Sequence, residues 1–233
     1  ANVNKTVGAL AQGQIKNRQK AEKHRQANGA RHVVEYFHQV EDGYSHLAAQ
    51  VLGAFAQRYD IELRCHLVAG PSGNNAVEPE LLVKLSQYDA SFIAPHYGLE
   101  APGANALPDR EAIELAESIL AASCLQKRAG ADFAGLATAV GGALWGSDKA
   151  ALRRLVEQHS CVSAQQTEDC LALGNARRAA LKHYSGAMFY YAGEWYWGVD
   201  RLHYLEKRLA DLGADLSPDA PLLMRRFRVE GGP

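Results

Sequence analysis

The chain between residues 33 and 67 alternates between two hydrophobic periods. Residues 33–37 form a mostly apolar run, and apolar and polar side chains alternate over 61–67. Both segments are predicted to be strands, the second with one face toward solvent. Between them, the residues that recur at helical spacing are Tyr44, Leu47, Val51 and Phe55. Strand, helix and strand in this order predict a βαβ unit with two parallel strands.

A long helical block follows a loop at 69–76 that contains Gly, Pro and Asn. From about residue 78 to residue 182, apolar side chains recur every three or four positions, which is typical of amphipathic helices. The predicted helices cover 81–94, 113–124, 132–144, 152–159 and 167–182, the last with Thr167 or Gln166 near its start. The loop 101–109, which contains two prolines, separates the first two of these helices.

The hydrophobic period returns to two after the helical block. Residues 187–191 and 195–197 flank the turn Ala192-Gly193-Glu194, which predicts a β-hairpin. Asp200 is predicted to cap a final helix whose apolar stripe ends at Leu212. The complete order is βαβ, helical block and ββα. It predicts an α/β protein with a thioredoxin-like fold (βαβ then ββα) and a large all-helical insertion at about 78–182.

Charge divides the chain into a basic start and an acidic body. Residues 1–31 contain seven Lys or Arg against one Glu, a net charge of +6, so the remaining residues carry −7. The start is predicted to be a helical arm or linker, because it is rich in Ala, Gln, Lys and Arg and contains no Pro. No aromatic residues interleave the basic ones, so a nucleic-acid partner is not expected. Residues 32–212 are predicted to be the folded domain, and 213–233 a tail strapped to its surface.

Several protein classes are excluded by what the sequence lacks. Its apolar stretches are too short to cross a bilayer, and its start does not resemble a signal peptide. The four cysteines form no C-x-x-C pair, so they are predicted to be reduced, and mostly core residues, in a cytoplasmic protein. No zinc-binding spacing, phosphate loop or dinucleotide motif occurs, so neither a metal nor a nucleotide is expected. Because the chain begins at Ala1 without a Met, an upstream domain is one possible partner of this domain. A second copy of the chain, in a homodimer, is the other.

Three segments resemble one family of thioredoxin-fold proteins. They are YFHQVEDGYSHLA at 36–48, GALWGSDKAALRRL at 142–155 and GAMFYYAGEWYWGVDRLHYL at 186–205. The first is similar to the opening strand, active-site turn and first helix of the group that includes DsbA, 2-hydroxychromene-2-carboxylate isomerase and kappa-class glutathione transferase. The third is similar to the closing hairpin of that group, which ends in Trp-Gly-x-Asp-Arg-Leu. The resemblance implies the same fold and a site at the start of the first domain helix.

The resemblance places Asp42 where the family has its reactive Cys or Ser. In the family, the helix start stabilises a thiolate, either on the protein or on bound glutathione. An ionised Asp accepts hydrogen bonds and donates none, so two interpretations remain open. Asp42 either caps the helix or acts as a general base or binding carboxylate. The neighbouring candidates for proton transfer are Tyr44, Ser45 and His46.

A second departure from the family lies before the hairpin. The family carries a cis-Pro there, whose exposed backbone pairs with glutathione or a substrate peptide. Here the aligned residues are Gly186, Ala187 and Met188, so a trans bond is expected, with backbone pairing through Ala187 and Met188. Asp200 and Arg201 match the Asp-Arg pair that helps to bind glutathione in the family. Asn74 and Asn75 fall near another glutathione contact of the family.

Three functions remain open from the sequence. The first is a glutathione-linked isomerase or transferase acting on a small aromatic molecule, with glutathione as candidate cofactor. The second is a catalytically degenerate binding or scaffold domain. The third is a thiol-disulfide oxidoreductase that uses Cys161, with His159 two residues before it, because thiol exchange at the usual site needs a cysteine that is absent there.

Overall fold

The computed structural model describes residues 2–71, 78–103, 107–126 and 130–224, with the side chains of α1 described from residue 12 onward. Its helices are α1 (Asn2–Ala27), α2 (Gly43–Arg58), α3 (Pro79–Ile93), α4 (Arg110–Leu125), α5 (Gly130–Trp145), α6 (Lys149–His159), α7 (Ala164–Ala180) and α8 (Gly198–Asp211). Its strands are β1 (His32–His38), β2 (Ile61–Leu67), β3 (Met188–Tyr191) and β4 (Glu194–Trp197). One 3-10 turn, at Ala94–Tyr97, continues α3.

The four strands form one mixed sheet in the order β2-β1-β3-β4. β1 and β2 are parallel, in the register that places His32 opposite Ile61. β3 is antiparallel to both β1 and β4. Five helices, α3 to α7, are inserted between β2 and β3. This arrangement confirms the predicted thioredoxin-like fold with a large helical insertion.

The hairpin between β3 and β4 has a two-residue turn rather than the predicted three-residue turn. Ala192 and Gly193 both have positive φ values, +45° and +90°. This conformation matches the twist of the two strands, and Gly adopts it without a steric penalty. Glu194, predicted to lie in the turn, is instead the first residue of β4 and pairs with Tyr191.

The main core lies on one face of the sheet, beneath α2. Tyr36, Leu47, Phe55 and Phe189 are fully buried there. Phe55 and Phe189 meet edge to face at 64°, with ring centroids 6.0 Å apart, which joins α2 to the sheet. The inserted helix α5 and the last helix α8 both pack against α2. The start of α2 is therefore held from several sides.

All five inserted helices begin two or three residues before their predicted starts, and the starts of α7 and α8 show why. α7 begins at Ala164, and its cap is Ser163 in a capping box with Gln166, three residues before the predicted start at Thr167. α8 begins at Gly198 with Trp197 in the capping position, so the prediction that Asp200 caps this helix was wrong. In both cases the helix extends one turn upstream of the polar residue that marked its start.

The two ends of the chain touch the body through charged groups. The Arg18 guanidinium of α1 donates two hydrogen bonds to the Glu194 carboxylate, at 2.7 and 2.8 Å. The segment 214–224 lies against α2 and α8, with Met224 buried. The division into arm, domain and tail stays a prediction, and residues 225–233 of the tail lie outside the described part. None of the described helices is both long enough and apolar enough to cross a membrane.

Candidate functional site

Asp42 is the N-cap of α2. Its Oδ2 accepts a hydrogen bond from the Ser45 backbone N–H at 2.9 Å, and its Oδ1 accepts a longer one from the Tyr44 N–H at 3.4 Å. These N–H groups have no partner inside the helix, so the carboxylate stabilises the helix start. The capping interpretation of Asp42 therefore describes its contacts in this structure.

Two side-chain hydroxyls complete the hydrogen bonding of Asp42. The Ser86 hydroxyl, from α3, donates to Oδ1 at 2.6 Å, and the Ser45 hydroxyl donates to Oδ2 at 2.9 Å. Burial raises the pKa of Asp42, and the hydrogen bonds from Ser86 and Ser45 act in the opposite direction. Each carboxylate oxygen thus accepts two hydrogen bonds from within the protein.

Ser45 is fully buried, and its hydroxyl forms three hydrogen bonds inside the protein. It donates to Asp42, and it accepts from the backbone N–H groups of Gln39 at 3.2 Å and Ala187 at 3.0 Å. A hydroxyl has one donor and two acceptor positions, so its hydrogen-bonding capacity is filled. It joins the end of β1, the start of α2 and the start of β3.

The backbone N–H and carbonyl of Ala187 are hydrogen-bonded within the domain, and Met188 pairs with the neighbouring strands of the sheet. The peptide bond before Ala187 is trans, as expected, and no cis bond occurs among the described residues. The Ala187 N–H donates to Ser45, and its carbonyl accepts from the Gly198 N–H at 2.9 Å. Ala187 has a φ of +51°, a strained value for a residue with a Cβ. Met188 is buried and lies between Phe37 and Trp197 in the sheet.

Helix α3 covers the start of α2. A Cβ added at Gly43 would lie 3.0 Å from the Cβ of Ala90 and 3.2 Å from the carbonyl oxygen of Ser86. Glycine at position 43 therefore permits this close approach. The contribution of α3 was missed from the sequence. Ser86 and Asp89 are three residues apart and share one side of the helix, but nothing in their spacing shows which element that side meets.

The Tyr44 hydroxyl lies in acidic surroundings. It donates to the Asp89 carboxylate at 2.5 Å. Burial raises the pKa of Tyr44 above its usual range, and the nearby carboxylates of Asp89, Asp42 and Asp200 raise it further. The structure thus brings the predicted residues Asp42, Tyr44 and Asp200 into one electrostatic cluster, together with Asp89, which was not predicted.

Arg201 partly offsets this negative charge. Its Nε lies 3.7 Å from the Asp200 carboxylate, and its guanidinium lies 5.9 Å from the centroid of the Tyr204 ring. Burial raises the pKa of Asp200, while Arg201 lowers it. The predicted Asp-Arg pair is therefore present in the first turn of α8. Asn74 and Asn75, the other candidate glutathione contacts, lie outside the described residues.

His46 faces α5 rather than α3. It is buried, and its Nδ1 would lie 2.6 Å from a Cβ added at Gly141. Its ring centroid is 6.4 Å from that of Trp145. Burial lowers the pKa of His46 to about 4, so the ring is neutral at pH 7. The hydroxyl of Tyr44 and the imidazole of His46 are thus directed to different helices.

The cysteines lie apart from the start of α2. Cys161 is exposed in the loop between α6 and α7. The Cys124 thiol, on α4, lies 3.9 Å from the carbonyl oxygen of Cys65, on β2, and Cys170 is buried on α7. All four are free thiols. In the described ranges, no group of three or more His, Cys, Asp or Glu side chains is arranged to hold a metal ion.

Removing the Asp42 carboxylate should destabilise the domain. We expect Asp42→Ala to lower the free energy of unfolding by about 2–3 kcal/mol, because it removes a cap and leaves two hydroxyls without an acceptor. Asp148→Ala is the matched control. Asp148 caps α6 by accepting a hydrogen bond from the Ala151 backbone N–H and is exposed, so its loss should cost about 1 kcal/mol. Urea unfolding measures both, and equal losses would contradict the role assigned to the Asp42 network.

Comparison with known proteins supports the fold. No protein-family model matches the sequence, and no curated protein matches it. Among solved structures, the fold is similar to that of a 2-hydroxychromene-2-carboxylate isomerase, with a TM-score of 0.54 and 19% sequence identity. The match covers 78% of this chain and 96% of the isomerase chain. At this identity the likeness establishes that the two proteins share the thioredoxin-like fold with its helical insertion.

Proposed function

We propose that this domain is a binding or scaffold module that has kept the thioredoxin-like fold without thiol or glutathione chemistry at the start of α2. The observation that carries the proposal is the state of Ser45. Its hydroxyl is fully buried and its three hydrogen-bonding positions are used by Asp42, Gln39 and Ala187. A hydroxyl in this state has no donor left for a ligand thiolate.

The charge around Tyr44 also disfavours glutathione. Glutathione carries two carboxylates, and its reactive form is a thiolate. Three carboxylates, those of Asp42, Asp89 and Asp200, act on the Tyr44 phenol, and Arg201 is directed toward one of them. Like charges brought together away from water repel each other strongly. We therefore infer that the residues present here do not fit glutathione.

The packing of α3 against the start of α2 also disfavours glutathione binding. Its residues Ser86 and Ala90 lie directly against Gly43, in the turn where the family binds its ligand. The backbone atoms of Ala187, which in the family would pair with the ligand, bond to Ser45 and Gly198. A ligand would have to displace both contacts to enter. The thiol hypothesis has less support, because Cys161 lies in the loop between α6 and α7.

Calorimetric titration with reduced glutathione tests this proposal. We expect no saturable heat at several temperatures, for the natural sequence and for an Asp200→Ala, Arg201→Ala double variant alike. Saturable binding in the micromolar-to-millimolar range that the double variant abolishes would overturn the proposal. Binding that the double variant leaves unchanged would also overturn it, and would place the ligand away from the Asp-Arg pair.

A glutathione-linked isomerase acting on a small aromatic molecule is the second candidate. The observation that favours it is the Asp200–Arg201 pair, which lies beside the Tyr44 phenol on the same fold as a 2-hydroxychromene-2-carboxylate isomerase. Incubation with 2-hydroxychromene-2-carboxylate and glutathione, followed by absorbance, separates the two candidates. Turnover that is lost in Tyr44→Phe would support the isomerase, and its absence would support the binding module.

A further inference from the structure

Helix α1 crosses the end of the sheet at which β1 begins and the β3–β4 hairpin turns. The Arg25 guanidinium donates to the carbonyl oxygen of Ala30, just before β1, at 2.7 Å. Earlier in the helix, Arg18 bonds to Glu194, the first residue of β4. The helix rises about 10 Å between these two arginines, which matches the distance from β1 across β3 to β4. α1 therefore runs across the strand ends.

An open groove with a volume of about 1530 Å³ lies between α1 and the sheet. Its floor is the sheet face opposite the main core, because Val33 and Glu35 alternate with the buried Val34 along β1. Glu35 lies between Arg64 on β2 and Tyr190 on β3 in the register of the sheet. Sites for small molecules usually enclose about 300–1,000 Å³, so this groove has room for a segment of a macromolecule.

Positive charge is concentrated around the groove. Eight Lys or Arg and four Asp or Glu line it, a net charge of +4 on a chain whose total is −1. Three of the four carboxylates are paired with cations of the groove itself: Glu22 with Arg25, Glu35 with Arg177, and Glu194 with Arg18 and Arg208. The fourth, Asp211, acts electrostatically on Arg18. The negative charge of the groove is thus balanced from within.

Four cations remain available to a partner. Lys20 and Lys23 lie on α1 and form no salt bridge within the described ranges. Arg31, before β1, and Arg64, on β2, line the groove from the body of the domain. Each of these arginines pairs with a neighbouring carboxylate, at 3.2 and 2.7 Å, but all the side chains involved are more than 40% exposed. Such pairs contribute little, so a partner's carboxylate can replace the neighbour.

The groove fits an acidic protein segment better than a nucleic acid. A single strand of nucleic acid needs several aromatic rings on which successive bases stack. Of the tyrosines that line the groove, Tyr191 is 3% exposed, and Tyr190 packs against Trp195 with ring centroids 4.9 Å apart. Val33 and Tyr190 instead form a small apolar floor, on which one aliphatic or aromatic side chain can pack. Carboxylates suit the four cations around it, because charged hydrogen bonds are the stronger ones.

We propose that this groove binds an extended acidic segment of a partner protein. The carboxylates of the segment pair with the four available cations, and an apolar side chain packs on Val33 and Tyr190. The groove lies at the opposite end of β1 from Asp42 and the start of α2. Failure of this inference would therefore leave the proposal about glutathione unchanged.

Fluorescence anisotropy with a labelled octapeptide, Glu-Glu-Leu-Glu-Glu-Phe-Glu-Glu, tests the groove. We expect saturable one-to-one binding that weakens more than about tenfold when salt rises from about 0.05 M to about 0.5 M. Lys20→Glu combined with Lys23→Glu should raise the dissociation constant by about tenfold or more. Arg64→Glu, on the opposite wall, should raise it by about threefold or more. The same peptide with Gln in place of every Glu should not bind.

Lys84→Glu combined with Lys207→Glu is the matched control. Both lysines are exposed, on α3 and α8, and neither lines the groove, so net charge changes equally and the dissociation constant should change by less than about twofold. Far-ultraviolet circular dichroism should be unchanged in both double variants. Absence of saturable binding, equal weakening by the two double variants, or full binding to Arg64→Glu or by the Gln peptide would each overturn the proposal. Tighter binding of single-stranded octathymidylate than of the acidic peptide would overturn it in favour of a nucleic acid.

Discussion

Lowering the pH from 7 to 4.5 is expected to remove about 4–5 kcal/mol of folding stability through two buried histidines, His38 and His46. Burial lowers the pKa of His38 to about 3 and that of His46 to about 4. In the unfolded chain both rings return to an ordinary pKa near 6.5. The unfolded state therefore binds protons between pH 6.5 and 4 that the folded state does not bind, so stability falls as the pH falls through this window.

The surroundings of the two rings explain why protonation is costly. His38, at the end of β1, is 3% exposed, and its Nδ1 lies 3.0 Å from the Tyr36 hydroxyl, with the Phe133 ring against it. His46, on α2, is also 3% exposed, and its Nδ1 has no hydrogen-bond partner within the described part of the chain. Neither ring is hydrogen-bonded to a carboxylate in the described part of the chain that could balance an imidazolium charge, so the neutral ring is favoured.

The contribution of the histidines is measured by comparing the pH dependence of stability in the natural sequence and in histidine variants, because buried carboxylates titrate in the same pH range. Burial raises the pKa of Glu117 to about 7, so Glu117 takes up a proton in the folded state and opposes the histidines as the pH falls. His38→Asn keeps a polar side chain beside the Tyr36 hydroxyl, and His46→Gln keeps a polar group for its neighbour Gln50. Urea unfolding at pH 7 and 4.5 then gives the pH dependence of each protein.

We expect the double variant to lose about 4–5 kcal/mol less than the natural sequence between the two pH values, and each single variant about half of that. Stability curves that run parallel for all four proteins would show that the histidines do not titrate as inferred. The result also bears on function. A His46 that is neutral and buried at pH 7 has no proton to give as an imidazolium, and this weakens its candidacy as a general acid.

The fold was predictable because its signals are local. The change from period 2 to period 3.6 and back marked β1, α2, β2, the helical block and the hairpin in their correct order. Short connections and right-handed crossovers then leave few ways to arrange those elements in a sheet. The errors at the starts of α7 and α8 were local too. Ser163 and Gln166 form a capping box, which is a sequence signal that was assigned to the wrong residue.

The site was predictable only in part, because much of it is formed by tertiary contacts. The cap role of Asp42 follows from its place before a helix, and it was one of two interpretations of the sequence. That α3 supplies Ser86 to Asp42 and Asp89 to Tyr44 depends on how a helix packs whose two residues lie 44 and 45 positions further along the chain. The same packing leaves a stripe of apolar side chains on α3 exposed to solvent, formed by Leu81, Leu85, Tyr88 and Phe92. From sequence alone, such a stripe is indistinguishable from one that faces the core.

Arg58→Ala is expected to lower the free energy of unfolding by about 3–5 kcal/mol. Arg58 ends α2 and pairs with Asp215 at 2.9 Å, and the two side chains are only 7% and 5% exposed. The same guanidinium donates to the carbonyl oxygens of Ala220, at 2.9 Å, and of Pro221. Removing it leaves a buried carboxylate without its cation and takes the donor from two carbonyl oxygens at once, which costs far more than an exposed pair contributes.

Arg31→Ala is the control for this prediction. Arg31 also pairs with an aspartate, Asp60, at 3.2 Å, but both side chains are more than 60% exposed, so its loss should cost less than about 1 kcal/mol. Arg58→Met combined with Asp215→Leu should recover part of the loss, because neither charge then stays buried alone. Equal effects of Arg58→Ala and Arg31→Ala in urea unfolding would mean that segment 214–224 is dispensable for the domain. A large difference would instead establish that the domain extends past residue 212, through the buried pair that ties this segment to the end of α2.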